Sequence, residues 1–205
     1  MNDRIRRTQA ERREGSEKAM LKAAIDLIAR EGVSAVTFEA VGREGGVSRG
    51  LPGLRFGSKA KLIEAVLRHL HEEQETLLAM HGLDDRPGRE AIMHYVELAL
   101  CEMRGRAEGR AYFRLLSWSV AEAHGSRTDF AIMHGQVASR LERWIRRGQV
   151  DGTIRGEINP AAMALMIGGS MLGLNLQSLI DDAMTLESFR ETYLASLTSS
   201  LSKPA

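Results

Sequence analysis

The sequence predicts an all-α chain: three small helices at the N-terminus, a long connecting helix, then a larger helical body. Three observations carry this. Apolar residues recur at three- and four-residue spacing along nearly the whole length, and no stretch alternates as a half-buried strand would. Only four prolines occur in 205 residues, so long segments run uninterrupted. Glycine, serine, threonine and asparagine stand at the seams between periodic segments, where helix ends need them.

Taken in order, the first helix is predicted to start at Ser16 as its cap, with Leu21, Ala24, Ile25 and Ile28 on one face. Gly32 should stop it in the left-handed conformation that glycine fills at helix ends. Thr37 is placed to cap a short second helix over 38–44, with Val41 inward. Gly45-Gly46 end that helix, and Ser48 is placed to cap a third through about Leu54. Ser58 opens a long helix to about Met80, with Leu62, Val66, Leu70 and Leu77 on one face. Residues 81–88, "HGLDDRPG", read as the clearest linker. Further helices are predicted near 89–104, 109–123, 127–149, 160–180 and 186–201. Asn159-Pro160 should serve as cap and first turn of the fourth of these, and Thr185 as cap of the last.

With 43% hydrophobic residues, the chain is large enough for a real apolar core. A single cysteine, Cys101, excludes an internal disulfide framework and a cysteine-built metal cluster. No run approaches eighteen apolar residues, and residues 1–13 lack the apolar stretch of a signal peptide. The expectation is a soluble, cytoplasmic chain with no membrane span. Charge is uneven: residues 1–60 hold 12 Lys+Arg against 8 Asp+Glu, the remainder 16 against 19. A basic N-terminal third on a mildly acidic body points to two parts with different partners.

Residues 45–59, "GGVSRGLPGLRFGSK", hold five glycines, Arg49, Arg55 and Lys59, and no acid. Two short helices joined by a glycine-containing turn, the second basic, are the parts of a helix-turn-helix. In such a motif the second helix lies in the major groove with its first residues against base edges. Val47 would plug the turn into a core with Leu21, Ile25, Ile28 and Val41.

Thr37, Val41, Gly42, Gly46-Val47-Ser48, Gly50, Phe56, Gly57-Ser58-Lys59 and Leu62 form a skeleton that resembles the DNA-binding signature of the TetR/AcrR family of transcriptional regulators. The preceding "LKAAIDLIAREG" is similar to that family's first helix. The resemblance spans about 50 residues. It implies an N-terminal three-helix helix-turn-helix DNA-binding domain over 1–60 and a larger helical ligand-binding and dimerisation domain over 61–205. By the same resemblance Thr37 touches a phosphate and Ser48 caps the recognition helix and reaches the backbone. Arg49, Leu51 and Leu54 face the groove, with Arg49 or Arg55 able to grip guanine, and Lys59 binds a phosphate at a helix start. Arg6, Arg7, Arg12 and Arg13 would add salt-sensitive attraction.

The sequence also departs from the family. Tyrosine is common where Gly53 and Leu54 stand, histidine at Arg55, and alanine at Gly42 and Gly45. Each of the last two should cost the second helix about 1 kcal/mol. Pro52 falls at the fourth position counted from Ser48, where it removes an early helical bond. A short, imperfect recognition helix is expected.

The resemblance further implies a homodimer with a small-molecule effector, and one recognition helix reads too few bases alone. Ile167, Met171 and Leu174, with Val137, Leu141 and Trp144 on the preceding helix, are the candidate dimer stripe. Phe113, Trp118, Met133 and Met166 are candidates for a hydrophobic pocket, with His94, Cys101 or His134 as polar handles. No cofactor is indicated, and the histidines lack metal-ligand spacing. The predicted function is a ligand-inducible repressor on a palindromic double-stranded operator. The alternatives are a dimeric helical adaptor with a degenerate motif, or an all-helical enzyme, for which no nucleophile–base pair or acid pair is found.

Overall fold

The computed structural model describes residues 9–122, 126–181, 184 and 186–202, with the side chains at 101–105, 126 and 186–188 outside that description. Thr185, the expected cap of the last helix, is therefore outside it, as are Arg6, Arg7 and the Cys101 side chain. Among the described residues the chain is helical, with no strand.

Helix α1 runs over Gln9–Glu31, α2 over Phe38–Glu44, α3 over Leu51–Phe56 and α4 over Lys59–Met80. The body follows as α5 (Gly88–Gly105), α6 (Ala107–Ala121), α7 (Ser126–Val150), α8 (Pro160–Ile180) and α9 (Leu186–Leu201). Each predicted helix is present, and most bounds agree within three residues.

The start of α1 differs from expectation. Ser16 caps nothing: it lies inside the helix, its hydroxyl donating to the Arg12 carbonyl at 2.8 Å. The upstream segment continues the helix because it is rich in good helix formers and gains an i,i+4 pair, Glu14–Lys18 at 2.8 Å. Gly32 has φ 91° and ψ 176°, so it ends α1 through an extended glycine-only geometry rather than the left-handed one. At α8 the expected pair holds, since Ala162 N donates to Asn159 Oδ1 at 3.0 Å and Pro160 occupies the first turn.

Two apolar cores form. The first joins α1, α2, Phe56 and the first half of α4 to Ala111, Phe113, Leu115 and Leu116 of α6 and Phe130 of α7. The second joins the end of α4 to α5, α7, α8 and α9 around Ile92, Leu141, Trp144, Ile145 and Ile167. Helix α4 enters both, and α6 packs against α1, so the small N-terminal helices rest on the body through shared apolar surface.

Residues 81–88 are not a free linker. Leu83 is buried, Trp144 Nε1 donates to Asp84 Oδ1 at 2.7 Å, and Arg147 donates to the carbonyls of Leu83 and Asp84. The polar run 148–159 is likewise ordered: Asp151 accepts from Gly88 N at 2.9 Å, and Gln149 Nε2 donates to the Ile158 carbonyl at 2.8 Å. Polarity here satisfies buried backbone groups. Helix α8 is long and apolar enough, by length and composition, to cross a bilayer, although glycine and serine interrupt its apolar run. Its Ala164, Ile167, Met171 and Leu174 are buried within the chain.

Candidate functional site

The motif at the N-terminal end is built from its caps upward. Thr37 lies in extended conformation and its hydroxyl accepts from Ala40 N at 3.1 Å, which starts α2. The turn closes through Gly45 N to Val41 O at 2.9 Å and Val47 N to Gly42 O at 3.0 Å. Gly46 takes φ 62°, the left-handed conformation that glycine adopts without a Cβ clash. Val47 is half-buried on the first core, as expected. Gly42 has a packing reason: a Cβ there would lie 3.2 Å from Arg49 Cα, where the turn folds back over α2.

The recognition helix starts later than the sequence indicates. Ser48 does not cap it. Leu51 N donates to Ser48 O at 3.0 Å in a preceding turn, and α3 begins at Leu51 with Gly50 at the cap position and no side-chain cap. This shift resolves the proline: Pro52 sits in the first helical turn, where no backbone donor is needed. Pro52 and Phe56 face inward, and Gly53 lets α3 approach α2, since a Cβ there would touch the Phe38 ring at 3.4 Å.

The expected groove residues separate into three situations. Leu54 is 85% exposed and points away from the core, with Arg49 exposed beside the turn and 3.5 Å from Glu39. Leu51 does not face outward; it is half-buried against the first core with Phe38 and Val47, because the later helix start rotates it inward. Arg55 is held by Glu17 of α1, its Nε donating to Glu17 Oε2 at 3.0 Å. A guanidinium so engaged must leave its carboxylate before it can grip a base. At the start of α4, Ser58 accepts from Lys61 N at 3.2 Å, and Lys59 Nζ lies 3.5 Å from the Ser34 carbonyl. Burial holds the Lys59 ammonium somewhat below its ordinary pKa.

Within the body, residues of α4 to α8 line a half-open cavity of about 300 Å³. Of the four expected pocket residues, Phe113 and Met133 line it. Trp118 packs instead on the first core, and Met166 is 65% exposed on the outer face of α8. His134 lines it as expected and makes a 3.1 Å contact to the Tyr112 hydroxyl, whereas His94 pairs with His81 at 3.1 Å. Sequence reasoning missed Glu73, Tyr95, Glu108 and Tyr112 in the wall. The Leu70–Glu73–Gln74–Leu77 spacing on α4 was the available signal for a mixed face. Burial pushes the Tyr95 phenol up to about 12, raises Tyr112 further, and lowers His134, so all three stay neutral.

The expected dimer stripe is internal. Leu141, Trp144, Ile167, Met171 and Leu174 are buried within the chain, and Val137 is half-buried at the cavity wall. Helices α7 and α8 pack on each other within the chain, and that packing covers the five buried side chains. Among the described residues no group of three or more His, Cys, Asp or Glu gathers as a metal site.

Residues 20–66 match the model of the family described as bacterial regulatory proteins, tetR family. No curated protein matches the chain. Solved structures do, at low identity and nearly full length. One described as a TetR-family transcriptional regulator from Rhodococcus sp. is 23% identical with TM-score 0.75, covering 92% of this chain and 100% of that one. A transcriptional regulator from Saccharomonospora viridis in complex with choline is 19% identical with TM-score 0.79, covering 91% and 96%. The regulator FadR from Bacillus subtilis in complex with stearoyl-CoA is 14% identical with TM-score 0.75, covering 90% and 98%. The fold is that of TetR-family regulators, with an N-terminal helix-turn-helix domain and a larger helical C-terminal domain.

Proposed function

We propose that this chain, which carries a TetR-family N-terminal domain at residues 20–66, is a transcriptional repressor that grips an operator as a homodimer and releases it when a small molecule fills its cavity. The observation that carries the reading is the exposed pair Arg49 and Leu54 on the outer face of a capped helix-turn-helix inside the matched stretch. Thr37, Ser48 and Lys59 flank that pair as phosphate contacts, and Arg12 and Arg13 on exposed turns of α1 add charge. Such a protein works in the cytoplasm, where the DNA is.

The homodimer forms through the outer face of α8. Ala162, Met166, Gly169, Gly173, Gln177 and Ile180 share one stripe, with Met166 65% and Ile180 86% exposed. An apolar face with small residues suits close approach by the same face of a second copy, and a two-fold axis matches a palindromic operator. Release follows from α4, which carries Ser58 and Lys59 at one end and Leu70, Glu73 and Leu77 in the cavity wall. A ligand that fits better when α4 has moved shifts the population toward heads spaced wrongly for the operator. The choline and stearoyl-CoA bound by the two structural neighbours support an effector, since this fold holds small molecules of differing chemistry.

The test is fluorescence anisotropy on duplexes drawn from inverted repeats beside the protein's own gene, across a salt series. Binding should weaken log-linearly with salt as counterions are displaced. Absent or salt-insensitive binding refutes the reading.

A further inference from the structure

The cavity wall narrows the chemistry of the effector. Tyr95 lines the cavity at 7% exposure, its ring 5.8 Å from that of Trp144. Among the described residues its hydroxyl has no hydrogen-bond partner. Among the described residues the buried side-chain polar atoms without a partner are Arg147 Nε and Arg155 Nε; the Tyr95 hydroxyl is not one of them, so it opens onto the cavity, placed to orient a molecule that enters it. With its titration pushed to about 12, the phenol is a donor at every working pH. The Tyr112–His134 pair nearby is satisfied internally and neutral. The Arg140–Glu75 pair close to Tyr95 neutralises itself, with nitrogen–oxygen distances of 3.0 and 2.5 Å.

The charges in the wall are Glu73 on α4, Glu108 on α6 and Arg106, and Arg106 already has a partner of its own. No uncommitted cation therefore faces the cavity among the described residues, and a carboxylate or phosphate buried there would meet two acids. Glu73 and Glu108 are also in electrostatic range of Lys22 on α1, which places them toward the N-terminal helices rather than at Tyr95. Around Tyr95 the cavity and core hold Leu78, Leu98, Leu141 and Trp144, and the charged groups in its range are the mutually paired Arg140 and Glu75.

We propose that the cavity takes an uncharged, mainly apolar molecule whose carbonyl or ether oxygen accepts a hydrogen bond from the Tyr95 hydroxyl. Its size is on the order of ten heavy atoms or somewhat more, as suits a cavity at the small end of ligand pockets. This rests on the cavity being the effector site of the proposed repressor, but the test contains no DNA, so the two readings fail separately.

Three probes of matched chain length separate the chemistries: 2-decanone, decanoate and decyltrimethylammonium, titrated into the full chain and followed by tryptophan fluorescence and calorimetry. The ketone should bind at least ten-fold tighter than either ion. Tyr95→Phe should weaken ketone binding roughly five-fold, the worth of one net hydrogen bond, and leave the ligand-free melting temperature unchanged or higher. Met133→Trp, which fills the cavity, should abolish binding of the ketone. The proposal is overturned if either ion binds as well as the ketone, if 2-decanone does not bind up to its solubility limit, or if Met133→Trp still binds it. It is equally overturned if Tyr95→Phe binds the ketone normally, or if that variant melts lower, which would make the hydroxyl structural.

Discussion

Gly88→Ala should be among the most damaging single-methyl additions in this chain. Gly88 opens α5 against the side of α7. A Cβ placed there would lie 2.2 Å from Gly148 N, 2.2 Å from Trp144 O and 2.5 Å from Gly148 Cα. Carbon needs about 3.5 Å to such atoms, so roughly 1 Å of movement is required. The obstructing atoms are backbone of a 25-residue helix and cannot rotate away. Displacing α5 instead would strain the Gly88 N–Asp151 bond of 2.9 Å and loosen the packing around Trp144 and Leu83. Overpacking costs about 1–3 kcal/mol and a hydrogen bond to a carboxylate about 1.5–3, so the loss should be about 3–5 kcal/mol. For a chain of this length that is a fall in melting temperature of about 6–20 °C, read by far-ultraviolet circular dichroism. Gly15→Ala is the control: a Cβ there meets nothing within 4 Å, and the change should be neutral or stabilise α1 by up to about 1 kcal/mol. If Gly88→Ala melts within about 2 °C of the parent protein, the close approach of α5 to α7 is wrong.

Four further outcomes are expected. Arg49→Ala should weaken operator binding by about 1–3 kcal/mol with relaxed sequence preference, whereas Arg55→Ala should act uniformly across sequences because Glu17 holds that guanidinium; anisotropy on matched and mutated duplexes separates the two. Thr37→Ala removes the cap of α2 and should cost about 1 kcal/mol in denaturant unfolding. The Arg140 hydrogen bond holds the Glu75 carboxyl below its ordinary value of 4.5, so its contribution is present above that pH and lost as pH falls through the lowered folded value. Glu75→Gln should therefore flatten the acid limb of stability, and cost about 1–2 kcal/mol near neutrality, discounted because Glu75 is partly exposed. Finally, Met166→Glu on the outer face of α8 should halve the mass seen by light scattering, while the melting of the isolated chain changes little.

Much of the fold was legible because local signals agree with the global one. The Thr37, Ser58 and Asn159 caps each sit in extended conformation one residue before a helix, and each side-chain oxygen accepts a hydrogen bond from a backbone N–H of the first turn. Ser48 and Ser16 show the limit of that reasoning. Serine is compatible with a cap, a turn or an exposed helical site, and only the neighbours decide; Pro52, which fits the first turn, pulled the start of α3 to Leu51. The mixed face of α4 was visible as spacing, but its role in a cavity depended on α5 to α8 closing around it.

By itself, the sequence determined which segments are helical, where most of them end, and that a basic helix-turn-helix precedes a larger body. Those properties rest on period, caps and backbone freedom, all local within a turn or two. Tertiary structure alone decided what each apolar stripe faces. Periodicity shows that Leu141, Trp144, Ile167 and Met171 must be covered, but it carries no information on whether the cover is the same chain or a second copy. In the same way, Arg55 is a free cation on paper, and Glu17, thirty-eight residues earlier, makes it a tethered one in space.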